Sequence, residues 1–494
     1  SRALETWDGR STGQSLPASL SEPSRRPRAK LLSVLTRKEL KEARPATYAE
    51  LDLMEPATGQ TFDHHFAQFT TLNEEGKRFV YGLAAYNTEQ QDVTFAVSNQ
   101  GIGAGIPSTV DYTNGDQNSV NNRVSDSRDQ YYQRSKLPPY AHSFLLTEIL
   151  SPEYADVDNE EGPSPNDLGD WLRFNYKKTS GAYGWRTPSD PQNGCQKASF
   201  AVGAMGRADD DKGSYMFGRK ELWYLQEVHT RDHVVVFRTS DRDDVCSVDE
   251  SGCLENSSEA DHRQHRLDRI DLYSRQEYEA HIGDLSQATP KQTVHFVYDY
   301  SLCPGASMLG QGGKLTLKEI RFTFERSALS AKAPYRFDYG VSTSLIENPP
   351  YLPDCVDRWG GVKADKGAPS AYLAAVSAGL DVSEASFTHF ENRLFPYVDD
   401  RSDLADRYAQ AWHLKAVELP SGGRQEFQYE ADRYGYVQNK AATRMFRVAA
   451  CKDALGIDAM YTEHIERIYF KLEAEANIDA NLVMNKYVKD GDLV

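Results

Sequence analysis

The stretch that decides the fold runs from Glu221 to Phe237 and reads ELWYLQEVHTRDHVVVF. Its first part, Glu221–His229, alternates between apolar and polar side chains, and its last part, Val234–Phe237, is a run of β-branched and aromatic residues. The polar residues Thr230–Asp232 between the two parts are typical of a turn. The stretch therefore predicts an antiparallel β-hairpin.

Two later stretches repeat this pattern of strand, turn and aromatic-rich strand. KLTLKEIRF at 314–322 precedes YRFDY at 335–339, and WHLKAVEL at 412–419 leads through PSGG at 420–423 to EFQYE at 426–430. Hairpins of this kind cannot bury an apolar face alone, so they must stack or pair side by side. The repeats predict a mainly β fold of antiparallel, hairpin-rich sheets, either a sandwich or one large curved sheet, with small helical insertions.

The remaining pattern predicts five regions along the chain. They are an extended basic N-terminal arm over 1–45, a β-rich domain with an acidic loop over 46–205, a β-rich hairpin region over 206–345, a partly helical insertion over 346–410, and a hairpin with a C-terminal β region over 411–494. Helices are expected within Leu31–Glu42, 270–283 and 402–412. The arm is either a solvated linker or a segment that docks onto an acidic surface.

Composition excludes several classes of protein. The chain has 494 residues and a net charge of -17, so binding to nucleic acid through bulk charge is not expected. It contains no run of 18 apolar residues, so no membrane-spanning helix is predicted. The sequence contains neither a Walker A motif nor GxGxxG.

Six cysteines indicate the compartment. None forms a CxxC motif, and an even number in an acidic, polar chain is typical of an oxidising compartment. Cys246 and Cys253 lie at the two sides of a short polar turn, which predicts a disulfide between them. The alternative is six unpaired thiols, and the other four cysteines cannot be paired from the sequence.

An acidic stretch is the strongest candidate for a metal site. Asp156, Asp158 and Glu160 alternate along a loop, Gly162 can form a turn, and Asp167 can close the site. Calcium needs six to eight oxygen ligands, which carboxylates supply, so the stretch is a candidate calcium loop. It departs from the usual calcium loop, in which the glycine is the sixth residue, and the alternative is a solvated acidic loop.

The repeated units resemble known families. Trp412–Gly435 is similar to a tyrosine-aspartate (YD) repeat of Rhs-family proteins, and the unit from Lys314 to Tyr339 resembles a strand pair in the shell component of insecticidal toxin complexes. Segments such as RFVYGLAAYN at 78–87 and KELWYL at 220–225 resemble very large uncharacterised secreted surface proteins of the Bacteroidota. The resemblance implies an Rhs-like curved shell in which Trp412, Tyr429, Phe337 and Tyr339 are structural residues.

The resemblance also implies an extracellular or outer-surface location and a chain that continues in a longer polypeptide. The predicted function is therefore a non-enzymatic structural portion of a large exported assembly, a shell, fibre or adhesive scaffold. Its partners would be further copies of itself or the remainder of the longer chain. Alternatives are a secreted glycan-binding module or glycoside hydrolase, and the carrier shell of a polymorphic toxin. The sequence presents no catalytic motif that favours an enzyme.

Overall fold

The hairpin units lie side by side in one large antiparallel sheet. The structure is a computed structural model that describes residues 31–43, 62–96, 109–112, 131–158, 162–189, 191, 194–199, 212–310, 312–325, 327, 332–340, 348–351, 362, 406, 408–432, 436–437, 440–441, 447–452 and 467–471. Within them, sixteen strands form the main sheet. They are β1 (Leu32–Thr36), β2 (Phe66–Leu72), β3 (Arg78–Ala96), β4 (Thr109–Asp111), β5 (Tyr132–Leu137), β6 (Tyr140–Leu150), β7 (Trp171–Thr187), β8 (Lys197–Ser199), β9 (Lys212–His229), β10 (His233–Cys246), β11 (Arg263–Ser274), β12 (Gln292–Asp299), β13 (Thr316–Phe324), β14 (Tyr335–Asp338), β15 (Ala416–Glu418) and β16 (Arg424–Glu426).

The elements outside this sheet are short. Two separate strand pairs follow it, β17 (Tyr436–Val437) with β18 (Lys440–Ala441), and β19 (Arg447–Lys452) with β20 (Arg467–Lys471). The helices are α1 (Arg37–Ala43), α2 (Arg275–Ala280) and a 3-10 turn at Ala260–His262. The prediction of a mainly β, antiparallel fold with small helical insertions is confirmed.

Strands β9 to β16 pair in the order in which they follow along the chain. Val235 lies opposite Val228 in the first hairpin, and Ile320 lies opposite Tyr335 in the pair of β13 and β14. In the last hairpin, Gly422 has a φ of +85° and donates its N–H to the Leu419 carbonyl at 2.9 Å, which closes the turn. All three predicted hairpins are confirmed, because a turn and its flanking strands are set by neighbouring residues.

Four strands of the N-terminal half pair in a closed cycle. β3 pairs with β6 along 78–87 and with β9 along 87–96. β7 pairs with β6 over 171–173 and with β9 over 173–187. The sheet therefore closes on itself here, and the long edges of these strands are covered by partners.

The two largest clusters of buried side chains among the described residues each hold neighbouring strands of the sheet together. One contains Phe95, Tyr215 and Phe217 from β3 and β9. The other contains Val236 and Tyr273 from β10 and β11, packed against residues from α2 and the loop that follows it. Both clusters lie where the strands alternate between buried and partly exposed residues, as expected for a sheet with one buried face.

The helices are shorter than the sequence predicted. Within Leu31–Glu42 a strand occupies 32–36 before α1 begins, and within 270–283 a strand continues to Ser274 before α2 begins. Each helix begins at a hydroxyl residue with Glu three positions later: the Glu39 N–H donates to Thr36 at 3.3 Å, and the Glu277 N–H to Ser274 at 3.3 Å. Most of the predicted helical insertion at 346–410 lies outside the described residues; within it, residues 406, 408 and 409 are helical.

Among the helices that the structure describes, none is long and apolar enough to cross a membrane.

Candidate functional site

The acidic loop predicted to bind calcium connects β6 to β7 and is closed at its base by backbone hydrogen bonds. Ala155 and Leu168 exchange two bonds, of 3.1 and 3.0 Å, and the Ser151 N–H donates to the Asp170 carbonyl at 2.9 Å. These bonds place the two arms of the loop side by side. Carboxylates that are about ten positions apart in the sequence can therefore meet.

Asp167 organises the interior of this loop. Its side chain is buried, and its carboxylate accepts bonds from the Tyr154 hydroxyl at 2.9 Å, the Ser164 N–H at 2.9 Å and the Val157 N–H at 3.0 Å. Burial and, next, the bond to Asp167 raise the pKa of Tyr154. The phenol therefore keeps its proton at neutral pH and remains a donor to Asp167.

Three of the four predicted calcium ligands come together. One carboxylate oxygen from each of Asp156, Asp158 and Asp167 lies within 4.8 Å of the others. Gly162 has a φ of +78°, which suits the turn predicted there. The fourth predicted ligand, Glu160, lies outside the described residues.

The clustered carboxylates also have partners from the protein. Asp158 accepts bonds from the Ser164 hydroxyl at 2.6 Å and the Asn166 amide at 3.2 Å, in addition to the three bonds that Asp167 accepts. The loop is thus held by its own hydrogen bonds. Chemically, a group of carboxylate and hydroxyl oxygens suits a hard cation such as Ca²⁺.

Arg231, in the turn between β9 and β10, anchors the acidic loop to the sheet. Its guanidinium donates to the backbone carbonyls of Asp167 and Gly169, the latter at 3.0 Å. A Cβ atom on Gly169, whose φ is +81°, would lie 2.6 Å from the Tyr154 backbone nitrogen. The position of the loop therefore depends on the first hairpin of the sequence.

The predicted disulfide between Cys246 and Cys253 is wrong. Cys253 pairs instead with Cys195, whose Cα lies 5.0 Å away, and Cys246 is a buried free thiol. A backbone bond of 2.6 Å from the Gln196 N–H to the Ser251 carbonyl holds the two cysteine-bearing loops together. The disulfide therefore joins the segment after β7 to the turn after β10.

The register of the short hairpin explains this error. The polar turn itself is confirmed, since the Asp249 N–H donates to the Cys253 carbonyl at 2.9 Å and Val248 lies opposite Leu254. In this register Cys246 lies near Glu255, and its thiol donates to the Glu255 carbonyl at 3.7 Å. The two cysteines are therefore not cross-strand neighbours. Burial raises the pKa of the Cys246 thiol, which keeps it protonated and unreactive.

A buried arginine beside the disulfide was not predicted. The Arg186 guanidinium lies 4.3 Å from the centroid of the Tyr215 ring and donates to the Tyr112 hydroxyl at 3.0 Å and the Glu250 carbonyl at 2.9 Å. The Tyr215 hydroxyl in turn donates to the Glu250 carboxylate at 3.0 Å. Burial lowers the pKa of Arg186 and raises that of Tyr215. This cluster fastens β7, β9 and the disulfide-bearing turn to one another.

A second buried charge lies where β9 ends its pairing with β3. Glu221 is 2% exposed and follows Lys220, the last residue of β9 that pairs with β3. Its carboxylate accepts bonds from the Lys178 ammonium at 2.8 Å, the Tyr86 N–H at 3.1 Å and the Trp223 indole at 3.2 Å. Glu221 thus binds a backbone N–H of β3 at the point where β9 ends its pairing with that strand. Its role is to hold the closed cycle of strands.

Trp412, predicted as a structural residue of the YD-like unit, ties that unit to the segment after β14. Its backbone N–H donates to the Asn348 side-chain oxygen at 2.9 Å, and its indole donates to the Pro349 carbonyl at 2.8 Å. Asn348 is fully buried and its amide donates to the Tyr339 carbonyl at 2.8 Å. The structure thus brings two of the four predicted repeat residues, Trp412 and Tyr339, onto the same asparagine.

The other two predicted repeat residues, Phe337 and Tyr429, contact β15 and the residues just before it. Phe337 of β14 is directly opposite Val417, and the Tyr429 hydroxyl donates to the Leu414 carbonyl at 2.8 Å. The YD-like unit therefore packs as one hairpin against the preceding repeat unit.

Comparisons with known proteins add little to this geometry. No protein-family model matches the chain, and no curated protein matches it significantly. Among solved structures, the chain is similar to part of the crystal structure of TcdB2–TccC3–Cdc42, with 10% sequence identity and a TM-score of 0.20. The match covers 57% of this chain and only 12% of that chain.

Proposed function

We propose that this chain is a structural portion of a large exported assembly, a shell, fibre or adhesive scaffold outside the cell or on its outer surface. The observation that carries the proposal is the order of β9 to β16, in which each strand pairs with the next along the chain. A sheet of this kind is extended by adding one hairpin after another, without crossover connections. Repetition of a simple unit is the usual way in which extended protein surfaces are built.

The end of the sheet offers an edge for such extension. Backbone bonds of 2.8 Å, from the Leu419 N–H to the Gly423 carbonyl and from the Phe427 N–H to the Lys415 carbonyl, fix the register of β15 and β16. Because bonded and non-bonded pairs alternate in an antiparallel sheet, the N–H and C=O groups of Glu426 point away from β15. Within the described residues β16 pairs with β15 alone, so these groups face a position for a further strand.

The edge strand β16 is also charged, which limits what can pair with it. All three of its residues are exposed, and Arg424 forms ion pairs with Glu426 at 3.0 Å and Asp338 at 2.9 Å. Charged edge strands discourage indiscriminate pairing. A strand with matching charges, from a second copy or from a longer chain, is therefore the partner that we propose.

The disulfide supports an exported location. Cys195 and Cys253 join segments that are 58 residues apart, and disulfides of this kind persist in oxidising compartments. The closed loop adds stability to the turn after β10, which contacts β7 through a bond of 3.2 Å from the Val248 N–H to the Gly184 carbonyl. Stability added by a covalent bond is what an extracellular structural protein requires.

Mass photometry of the full chain tests the proposal. We expect particles heavier than the 55.5 kDa single chain, and we expect Glu426→Pro to abolish them, because proline removes the outward N–H without removing a bond to β15. Glu426→Gln is the matched control, since it keeps the N–H, and it should retain the particles. Single chains in all three samples, or particles that persist in Glu426→Pro, would refute the proposal.

We further propose that Ca²⁺ stabilises the acidic loop through Asp156, Asp158 and Asp167. Calcium at 100 times its dissociation constant would raise the free energy of unfolding by about 2.7 kcal/mol. Thermal unfolding with CaCl₂, with MgCl₂ and with a chelator measures this effect. Asp158→Asn should remove the calcium response and Asp170→Asn, in the same loop but outside the cluster, should keep it. An equal response in the two variants would count against the site.

A further inference from the structure

An apolar ladder crosses one face of the sheet between β10 and β14. Directly opposite residues of an antiparallel sheet share a face, as do residues two positions apart on one strand. The register therefore places apolar side chains from all five strands on the same face, among them Phe237, Ile270, Val294, Phe296, Ile320 and Tyr335. All six are partly exposed rather than buried.

The side chains on the opposite face of the same strands already have partners among the described residues. On β10 and β11 it holds the buried residues Val236 and Tyr273, which pack against α2. On β13 and β14 it holds an ionic network in which Glu319 bonds Arg321 at 2.6 Å and Arg336 at 3.1 Å. On β13 and β14 this face is thus polar, and the ladder face, with its partly exposed apolar side chains, is the one suited to a covering layer.

The chain leaves and re-enters the described sheet at one place beside this ladder. After β14, Asn348 binds the backbone of Trp412, and the ring centroids of Tyr351 and Trp412 lie 6.3 Å apart. Trp412 lies four positions before Ala416, the first residue of β15, which pairs with β14. The stretch of chain between Tyr351 and Trp412, which includes residues 363–405, is therefore joined at both of its ends to the described sheet beside the ladder.

The sequence of 363–405 has the pattern of a segment that covers an apolar face. Two triplets of apolar residues recur at spacings of three and four: Leu373, Val376, Leu380 and Phe387, Phe390, Leu394. This spacing is typical of an amphipathic helix. Helix spanning 373–394 would be about 33 Å long, and the ladder from β10 to β14, four strand spacings of about 4.8 Å, is about 19 Å across. The segment is long enough to cover it.

We propose that residues 363–405 dock on the apolar ladder and form the second layer of the fold, with their two apolar triplets against the sheet. This contact lies within a single chain, so it does not depend on the assembly proposed above. It assigns the ladder to the chain's own insertion, and not to a second copy or to a separate partner.

Photo-crosslinking of the full chain tests this assignment. We expect p-benzoylphenylalanine in place of Phe296, on the ladder, to yield crosslinked peptides from within 363–405. The matched control carries it in place of Arg321, on the opposite face of the neighbouring strand, and should lose those crosslinks; circular dichroism verifies that both variants are folded. Mixing ¹⁵N-labelled and unlabelled chains separates contacts within one chain from contacts between copies. Crosslinks from Phe296 to residues 1–30 or 433–494, to a second copy, or to no part of 363–405 would overturn the proposal.

Discussion

Removal of the disulfide between Cys195 and Cys253 is the most direct test of how the described sheet is fastened. The bond joins residues 58 apart in the sequence. In the chain-entropy model, a loop of this size lowers the entropy of the unfolded chain by about 14 cal/mol/K, or about 4 kcal/mol at 25 °C. We therefore expect Cys195→Ala/Cys253→Ala to lower the free energy of unfolding by about 4 kcal/mol. A bond between Cys246 and Cys253, 253 − 246 = 7 residues apart, would contribute about 2 kcal/mol.

Urea unfolding followed by tryptophan fluorescence measures this difference, and a non-reducing peptide map identifies the bonded cysteines. The control is Cys246→Ala, which removes a buried thiol outside the disulfide and should cost about 1 kcal/mol through the small cavity that it leaves. Because Cys246→Ala keeps the disulfide, a reductant should still lower its free energy of unfolding. The reasoning is refuted if Cys246→Ala loses as much stability as the double variant, or if the map links Cys246 to Cys253.

Three further substitutions or conditions test other parts of the fold. Glu221→Gln should lower the free energy of unfolding by about 2 kcal/mol, because it removes the charge from the carboxylate that binds the partly exposed Lys178 ammonium; chemical denaturation measures this loss, and an unchanged midpoint would contradict it. Gly184→Ala should strongly destabilise the chain, since a Cβ there would lie 2.1 Å from the Val248 carbonyl oxygen, whereas Gly181→Ala meets nothing within 4 Å and should be nearly neutral in the same thermal scan. Burial opposes the charge of Asp244, but the bonds from Arg242 and from the Leu315 N–H outweigh burial and lower the pKa of Asp244. The stabilising contribution of Asp244 is therefore complete above about pH 4 and is lost as the pH falls through the lowered pKa. In a plot of the urea midpoint against pH, Asp244→Asn should flatten the decrease on the acid side.

The sheet was largely predictable because its construction is local. The alternation in Glu221–His229 and the Pro420–Gly423 turn each determine a strand pair from neighbouring residues, and both pairs are present. The helix starts have a local signal that the prediction did not use, since Thr36 and Ser274 each precede a glutamate by three positions. The extent of each helix was overestimated, because the residues before these caps pair as strands.

The contacts that fasten the sheet were not predictable, because they join residues far apart in sequence. Cys195 offers no local sign that it pairs with Cys253. Arg186 lies on a strand and reads as an ordinary surface charge until the fold places Tyr215 beneath it. In the acidic loop, Asp156, Asp158 and Asp167 were all predicted ligands, but the Ala155–Leu168 bridge, which brings Asp167 to the other two, was not predicted.

The closed cycle of strands determines the order in which parts of this sheet can form during folding. Each hairpin of β9 to β16 can form as soon as its own residues are available, since its contacts are local. β3, in contrast, ends at Ala96, and β9, which covers it, begins at Lys212, 212 − 96 = 116 residues later. During synthesis, the apolar residues Val93 and Phe95, fully buried in the finished sheet, remain exposed until that partner is available. A chain synthesised from its N-terminus therefore passes through an interval in which these apolar residues are exposed and prone to aggregate. A chaperone that binds the exposed strand would protect it during this interval, and a circular permutant that places β9 next to β3 in the sequence would remove the interval.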